Sequence, residues 1–312
     1  MTENALIIAG PTASGKTDLA FEIAKLIPSV IINADSMQVY SNLSILTNMP
    51  SNEELDFFSC KLFGVLNAPD SSNLGWWVEK AKKEILDAQS KNILPIIVGG
   101  SGMYLNGLEN EISYIPKIKP RVRDKIKLIH DLKGTLYLYN KLKKLDPKLA
   151  EKINSNDTQR ILRSIEVKVS TGKKLSDWHN AKNKNKIKKS IKYIYVVIEI
   201  ERKMLYESIN NRFQIMVDKG VVNEVRKFLG EEIPLLHPIN KTIGLRHLKN
   251  HINGLIKIDD AISLSQKDSR NYAKRQITWF KNQPKDSISI QREEAKEVIL
   301  KFFKKKNKFD KY

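Results

Sequence analysis

The chain has 312 residues, 41% of them hydrophobic, one cysteine, and a formal net charge of +19 from 54 basic and 35 acidic residues. That length supports one sizeable core and a smaller appendage. The lone Cys60 excludes an internal disulfide and any cysteine-built zinc site, and no apolar run approaches membrane-spanning length, so a cytoplasmic protein with no membrane partner is expected.

The charge is concentrated. Between Lys117 and Lys192 there are 23 Lys or Arg against 7 Asp or Glu, a net of +16, which leaves only +3 for the rest of the chain. A general lysine bias would raise the lysine content everywhere without stripping acidic residues from one segment. A face that binds a polyanion explains both, because neutralised phosphates release condensed counterions.

In chain order, Ala5 to Ala9 reads as a buried strand after Glu3, too short for a signal-peptide core. A glycine-rich turn and an amphipathic helix from Lys16 to Leu26 follow. Val30–Asn33 is a second strand ending at Ala34-Asp35-Ser36, and Ile93–Val98 a third ending at Gly99-Gly100-Ser101-Gly102 before another helix. Helical stretches Val122–His130, Leu136–Leu145 and Thr158–Val169 fill the basic segment, and Ala181–Lys192 reads as an exposed connection. Tyr193–Ile200 is a fourth strand, after which the chain reads as mostly helical with a frayed basic tail from Lys301 to Tyr312. Continuous rather than alternating apolar strands imply an α/β fold: a parallel sheet with helices on both faces and a mostly helical insertion domain. The boundaries are 1–112 for the first part of the core, 113–192 for the insertion and 193–312 for the second part of the core.

Gly10-Pro11-Thr12-Ala13-Ser14-Gly15-Lys16-Thr17 fits G-x-x-x-x-G-K-[ST] between a strand and a helix, the context that a phosphate-binding loop requires. Its amides and the helix N-terminus attract phosphate, Lys16 adds a full charge, and the Thr17 hydroxyl can ligate Mg²⁺. Asp35, at the carboxyl end of the second strand, faces the same crevice as metal ligand, general base or turn residue. Arg160 and Arg163 share one helix face, as do Lys267, Arg270, Lys274 and Lys281, opposite a buried side of Ala273, Ile277 and Phe280. Trp279 reads as core. These elements also suit a small-molecule kinase, which would leave the basic insertion idle, or a non-catalytic RNA-binding module, which would leave Asp35 idle.

Five blocks in order resemble the bacterial tRNA dimethylallyltransferases. They are the phosphate loop, Ala34-Asp35-Ser36-Met37-Gln38-Val39-Tyr40, Val98-Gly99-Gly100-Ser101-Gly102-Met103-Tyr104-Leu105, Asn156-Asp157-Thr158-Gln159-Arg160-Ile161-Leu162-Arg163, and Ala273-Lys274-Arg275-Gln276-Ile277-Thr278-Trp279-Phe280. Departures from the family pattern are Leu46-Thr47-Asn48-Met49, Ser59-Cys60, Leu245 before Arg246, and Ser208. The resemblance implies transfer of a dimethylallyl group from dimethylallyl diphosphate to N6 of adenosine 37, in the anticodon loop of tRNAs that read codons beginning with U. It implies Asp35 as base, Thr12 and Arg212 on the leaving diphosphate, and Mg²⁺ at Thr17. It also implies tRNA contacts from Asp35, Ser36, Met37, Gln38, Ser101, Arg123, Gln159, Arg160, Ile161, Leu162, Arg163, Arg246, Lys274 and Arg275. A monomer is expected to suffice.

Overall fold

Among the described residues, six strands carry the larger part of the molecule: β1 (Asn4–Ala9), β2 (Ser29–Asn33), β3 (Cys60–Lys61), β4 (Leu94–Gly99), β5 (Lys192–Glu199) and β6 (Ser287–Gln291). The computed structural model describes residues 4–110, 115–116, 118–180, 191–282 and 286–307. All the strand pairings are parallel, in the order β3-β2-β4-β1-β5-β6. β1 and β4 are buried along their whole length, as strands covered on both faces must be. Leu6, Ile8, Ile31, Ile96 and Val98 point to one face, where they meet Leu19 and Ile23 of the Lys16–Ala24 helix and Ala295 and Ile299 of the Arg292–Asn307 helix. Ile7, Ile32 and Ile97, one residue out of phase, are fully buried on the other face.

The four strands expected from sequence are present, with bounds shifted by a residue or so, and two edge strands are added. β3 has only two residues. β6, Ser-Ile-Ser-Ile-Gln, alternates and is half-exposed, so the region after Glu199 is not purely helical. The residues read as a frayed tail from Lys301 are helical through Asn307, because the buried Phe303 continues the apolar face of Ala295 and Ile299. The connection expected at Ala181–Lys192 lies outside the described residues except at its end, where Lys192 opens β5.

The chain divides into two compact units, Met1–Asn110 with Lys189–Tyr312, and Glu111–Lys188. In the second unit all the described regular elements are helices: Pro120–Leu145, Pro147–Ala150, Thr158–Thr171 and Leu175–Asn180. Gly134, at φ 76° and ψ 171°, breaks the first of these where the sequence suggested two helices. Ile126, Leu138, Leu142, Ile161 and Ile165 form this unit's core. The buried Asp146 carboxylate closes it, accepting hydrogen bonds from the Ser176 N–H (3.0 Å) and hydroxyl (2.7 Å). No described helix is long and apolar enough to cross a membrane.

The sheet leaves no room at the end of β4. A Cβ on Gly99 would lie 2.3 Å from the Ala34 carbonyl oxygen, a backbone atom that cannot swing aside. Gly99→Ala is expected to destabilise the protein by about 1–3 kcal/mol, the range for overpacking, read as a lowered urea midpoint with an unchanged slope.

Candidate active site

β1, β4 and β2 are neighbours, so their carboxyl ends place the Gly10–Thr17 loop, the Gly99–Gly102 turn and the Asp35 turn side by side, in the crevice where open parallel sheets bind ligands. The loop wraps its own lysine. Gly15, at φ 72°, turns the chain into the helix, and Lys16 Nζ donates to the Pro11 carbonyl at 2.9 Å. The Ser14 hydroxyl is buried and finds no hydrogen-bond partner among the described residues. Thr17 stands half-buried in the first turn of the helix.

Asp35 is held from three sides. The fully buried Asn33 accepts from the Asp35 N–H (2.7 Å) and donates to the carbonyls of Asp35 (3.0 Å) and Leu62 (2.9 Å). Ser101 Oγ accepts from the Ser36 N–H at 3.1 Å. Asp35 Oδ1 accepts from the Met37 N–H at 2.8 Å, and among the described residues no donor reaches Oδ2. That oxygen remains free to accept a proton from a ligand.

Thr12, Asp35, Ser36, Met37, Arg212, Tyr272 and Arg275 line a cavity of about 250 Å³, whose other walls include Leu46, Ile209, Phe213 and Met216. Arg212, from the Arg202–Asp218 helix, donates to Thr12 Oγ1 at 2.5 Å. Three residues assigned to catalysis by resemblance, 200 positions apart at the extremes of the Thr12–Arg212 bond, therefore border one space.

Burial, with the neighbouring Arg212 charge, lowers the Lys16 ammonium from 10.5 to about 8, with Asp35 and Asp18 opposing. Burial likewise lowers Arg212 to about 10, against the pull of Asp35. Both cations are short of negative charge. Burial and the Asp35 carboxylate push the Tyr272 phenol up, with hydrogen bonding from Ser101 opposing, so it stays protonated.

The remaining sequence candidates separate. Gln38 spends its amide nitrogen on the carbonyls of Thr47 (2.9 Å) and Asn48 (3.0 Å), which leaves its oxygen for a ligand. Arg246, Lys274 and Arg275 are exposed, and Arg246 and Arg275 border a second, polar cavity of about 310 Å³ with Lys241, His247 and Asp268. Arg123, Gln159, Arg160, Leu162 and Arg163 lie in the smaller unit. There Gln159 and Arg160 are exposed, and Arg123 and Arg163 flank Glu166 at 3.7 and 3.9 Å. Leu162 is half-buried against the core of that unit. Ile161 is corrected: it is fully buried in that core and has no surface to offer an RNA. Trp279 covers Gly102, where a Cβ would lie 2.4 Å from the indole, in keeping with its reading as core.

A family model described as IPP transferase matches residues 38–283, and one described as Isopentenyl transferase matches residues 3–59. The tRNA dimethylallyltransferase of Pelagibacter ubique is 38% identical over 305 residues, 98% of this chain and 97% of its own. The chain belongs to the IPP transferase family. The Ehrlichia canis tRNA dimethylallyltransferase is 39% identical over 90% of this chain and 92% of its own. Among solved structures, the tRNA delta(2)-isopentenylpyrophosphate transferase of Staphylococcus epidermidis superposes with a TM-score of 0.67 at 30% identity, over 97% of this chain and 99% of that one. A eukaryotic dimethylallyltransferase acting on tRNA gives 0.73 at 25% identity, over 88% and 69%.

Several side chains that shape this IPP transferase site carried no assigned role in the sequence reading. Gln276 joins the loop to the β4 turn, accepting from the Thr12 N–H (2.8 Å) and donating to the Gly100 carbonyl (2.9 Å). Its signal was a polar residue three positions after the buried Ala273, on a face that should be apolar. Glu224 accepts from the N–H groups of Ile45 (2.7 Å) and Leu46 (2.9 Å) and so fixes one cavity wall. Arg292 Nε donates to the Gly15 carbonyl at 3.1 Å while its guanidinium pairs with Glu22. Nothing local in the sequence marks these last two.

The depressed Lys16 value fixes two pH responses. Between about 8 and 10.5 the unfolded chain holds more protons at this group than the folded one, so its contribution to stability rises with pH across that window; below about 8 the cost of burying the charge is fully present. Inorganic diphosphate needs the charged amine, so its affinity is expected to fall roughly tenfold per pH unit above about 8, with proton uptake on binding near pH 9. Calorimetry in buffers of different ionisation enthalpy measures both.

Proposed function

We propose that the protein transfers a dimethylallyl group from dimethylallyl diphosphate to the exocyclic N6 of adenosine 37, in the anticodon loop of tRNAs that read codons beginning with U. One observation carries the reading: a carboxylate with an oxygen to spare, Asp35, borders the same cavity as Thr12 and Arg212 of the phosphate cradle. An exocyclic amine is a weak nucleophile and must lose a proton as it reacts. Its nitrogen attacks the allylic carbon, the C–O bond breaks with its electron pair leaving on the diphosphate, and Asp35 takes the amine proton.

The two under-compensated cations, Lys16 and Arg212, meet the charge that develops on the leaving diphosphate, and the orphaned Ser14 hydroxyl gains a partner there. Leu46, Ile209, Phe213 and Met216 supply an apolar wall for the five-carbon chain and keep water from an allylic centre with cationic character. Mg²⁺ fits as an ion carried by the diphosphate. Among the described residues no three His, Cys, Asp or Glu side chains gather to hold one, and the half-buried Thr17 hydroxyl is a single hard donor, which suits a cation that keeps its waters and binds phosphate oxygens. When bound, it neutralises charge on the diphosphate.

The basic unit Glu111–Lys188 is read as the RNA clamp, with Arg123, Gln159, Arg160 and Arg163 as its contacts. Reaching a stacked base requires splaying it out of the loop. A monomer is taken as the working unit, and a tRNA substrate fits a cytoplasmic location. A kinase would need no basic insertion, and a passive RNA binder would need neither the cradle nor the poised carboxylate.

Purified protein with unmodified tRNA and radiolabelled dimethylallyl diphosphate should label the tRNA; label absent from RNA refutes the proposal. Asp35→Ala should slow single-turnover transfer by about 10²–10⁴-fold and leave tRNA affinity nearly intact; normal chemistry with weakened binding would reverse the role given to Asp35. Affinity for tRNA should drop roughly 10³-fold or more between about 50 and 200 mM salt. A flat response would remove the basic unit from the interface.

A further inference from the structure

The helix Ile258–Asn282 presents Ser269, Tyr272 and Arg275 to the cavity, at the three-residue spacing of one helical face. Among the described residues, Tyr272 is the aromatic side chain of this helix that lines the cavity. The Arg275 guanidinium lies 5.6 Å from its centroid and holds the plane of the ring. Its hydroxyl lies beside Ser101 and Gln276, within the field of Asp35. Both neighbours bond to the phenol oxygen as donors, Gln276 while also holding Thr12 and Gly100, and Ser101 while its Oγ accepts from the Ser36 N–H. The phenolic proton is therefore available to a ligand in the cavity that Asp35 also borders, where one Asp35 oxygen has no described donor.

An adenine presents an N–H donor at N6 flanked by unprotonated ring nitrogens, N1 on one edge and N7 on the other, which are acceptors. A carboxylate beside a hydroxyl donor is the complement of that pair. Guanine places an acceptor, O6, where the carboxylate demands a donor, and so meets repulsion. We propose that Tyr272 reads the acceptor base, its hydroxyl donating to the ring nitrogen next to the amine that Asp35 deprotonates, so that the two side chains together select adenine and aim N6 at the allylic carbon. This rests on the transfer reading above and names a specificity-determining residue for it. Tyr272 touches the base and takes no proton from it.

The test uses full-length protein and synthetic anticodon stem-loops carrying adenosine, 1-deazaadenosine or 7-deazaadenosine at the acceptor position, with single-turnover transfer measured for the parent enzyme and Tyr272→Phe. The parent should lose about tenfold in rate on one deaza analogue, the loss expected for one missing hydrogen bond, and the identity of that analogue names the edge that is read. Tyr272→Phe should lose about as much on adenosine and, on that analogue, lose only what the deaza change does to the amine itself, because the bond is already absent. Deaza effects on the amine itself appear equally in both enzymes and cancel in the comparison. Unchanged diphosphate affinity and thermal midpoint in Tyr272→Phe separate lost recognition from a damaged fold. Independent, additive losses from the two changes, a parent indifferent to both analogues, or a parental rate for Tyr272→Phe on adenosine would overturn the assignment of Tyr272 alone. No transfer by the parent to the adenosine RNA would overturn the transfer reading with it.

Discussion

Two cations, Lys16 and Arg212, are half-buried at the mouth of a parallel sheet with Asp35 as the acid that pulls on both, and desolvation depresses both. A site in that condition attracts an anion of more than one charge, because only such a ligand relieves both cations at once. The order β2-β4-β1 is what puts them there, since three adjacent strands deliver the carboxylate, the glycine turn and the phosphate loop to one edge. The glycines matter sterically: with any side chain at Gly99 or Gly100, the backbone around Ala34 and Gly10 would have to retreat.

Asp35 faces two ways in this arrangement. Its charge opposes that of the cradle, and one of its oxygens accepts from the Met37 N–H while no described donor reaches the other. Asn33 and Ser101 prevent the turn from rotating to satisfy both oxygens internally.

Much of this was legible in the sequence for a physical reason: the phosphate loop, the buried strands and Asp35 are local patterns, set by what one short stretch of chain must do. Ala5–Ala9 and Ile93–Val98 read as strands because each is uniformly apolar, and the helix break at Gly134 was visible between Val122–His130 and Leu136–Leu145. The half-exposed β6 and the two-residue β3 carry too little apolar periodicity to declare themselves. Asn33, Glu224, Gln276 and Arg292 escaped because each acts on a partner that no local pattern specifies; Glu224 reaches back 179 residues to Ile45. Ile161 erred in the opposite sense, since its place in a motif between exposed arginines concealed that its own side chain points into the core.

The bonds from Gln276 to Thr12 and from Arg292 to Gly15 span 264 and 277 positions, nearly the length of the molecule. The residues that announce the phosphate loop are therefore made first by the ribosome and braced last. Until the Ile258–Asn282 and Arg292–Asn307 helices have left the exit tunnel, the Thr12 amide lacks its acceptor, the Gly15 carbonyl has only the Leu19 N–H of its own helix, and the cavity lacks the wall that carries Tyr272. A nascent or C-terminally clipped chain is thus denied a finished site for an activated allylic diphosphate, a reagent that an incomplete, wet cavity would squander on water.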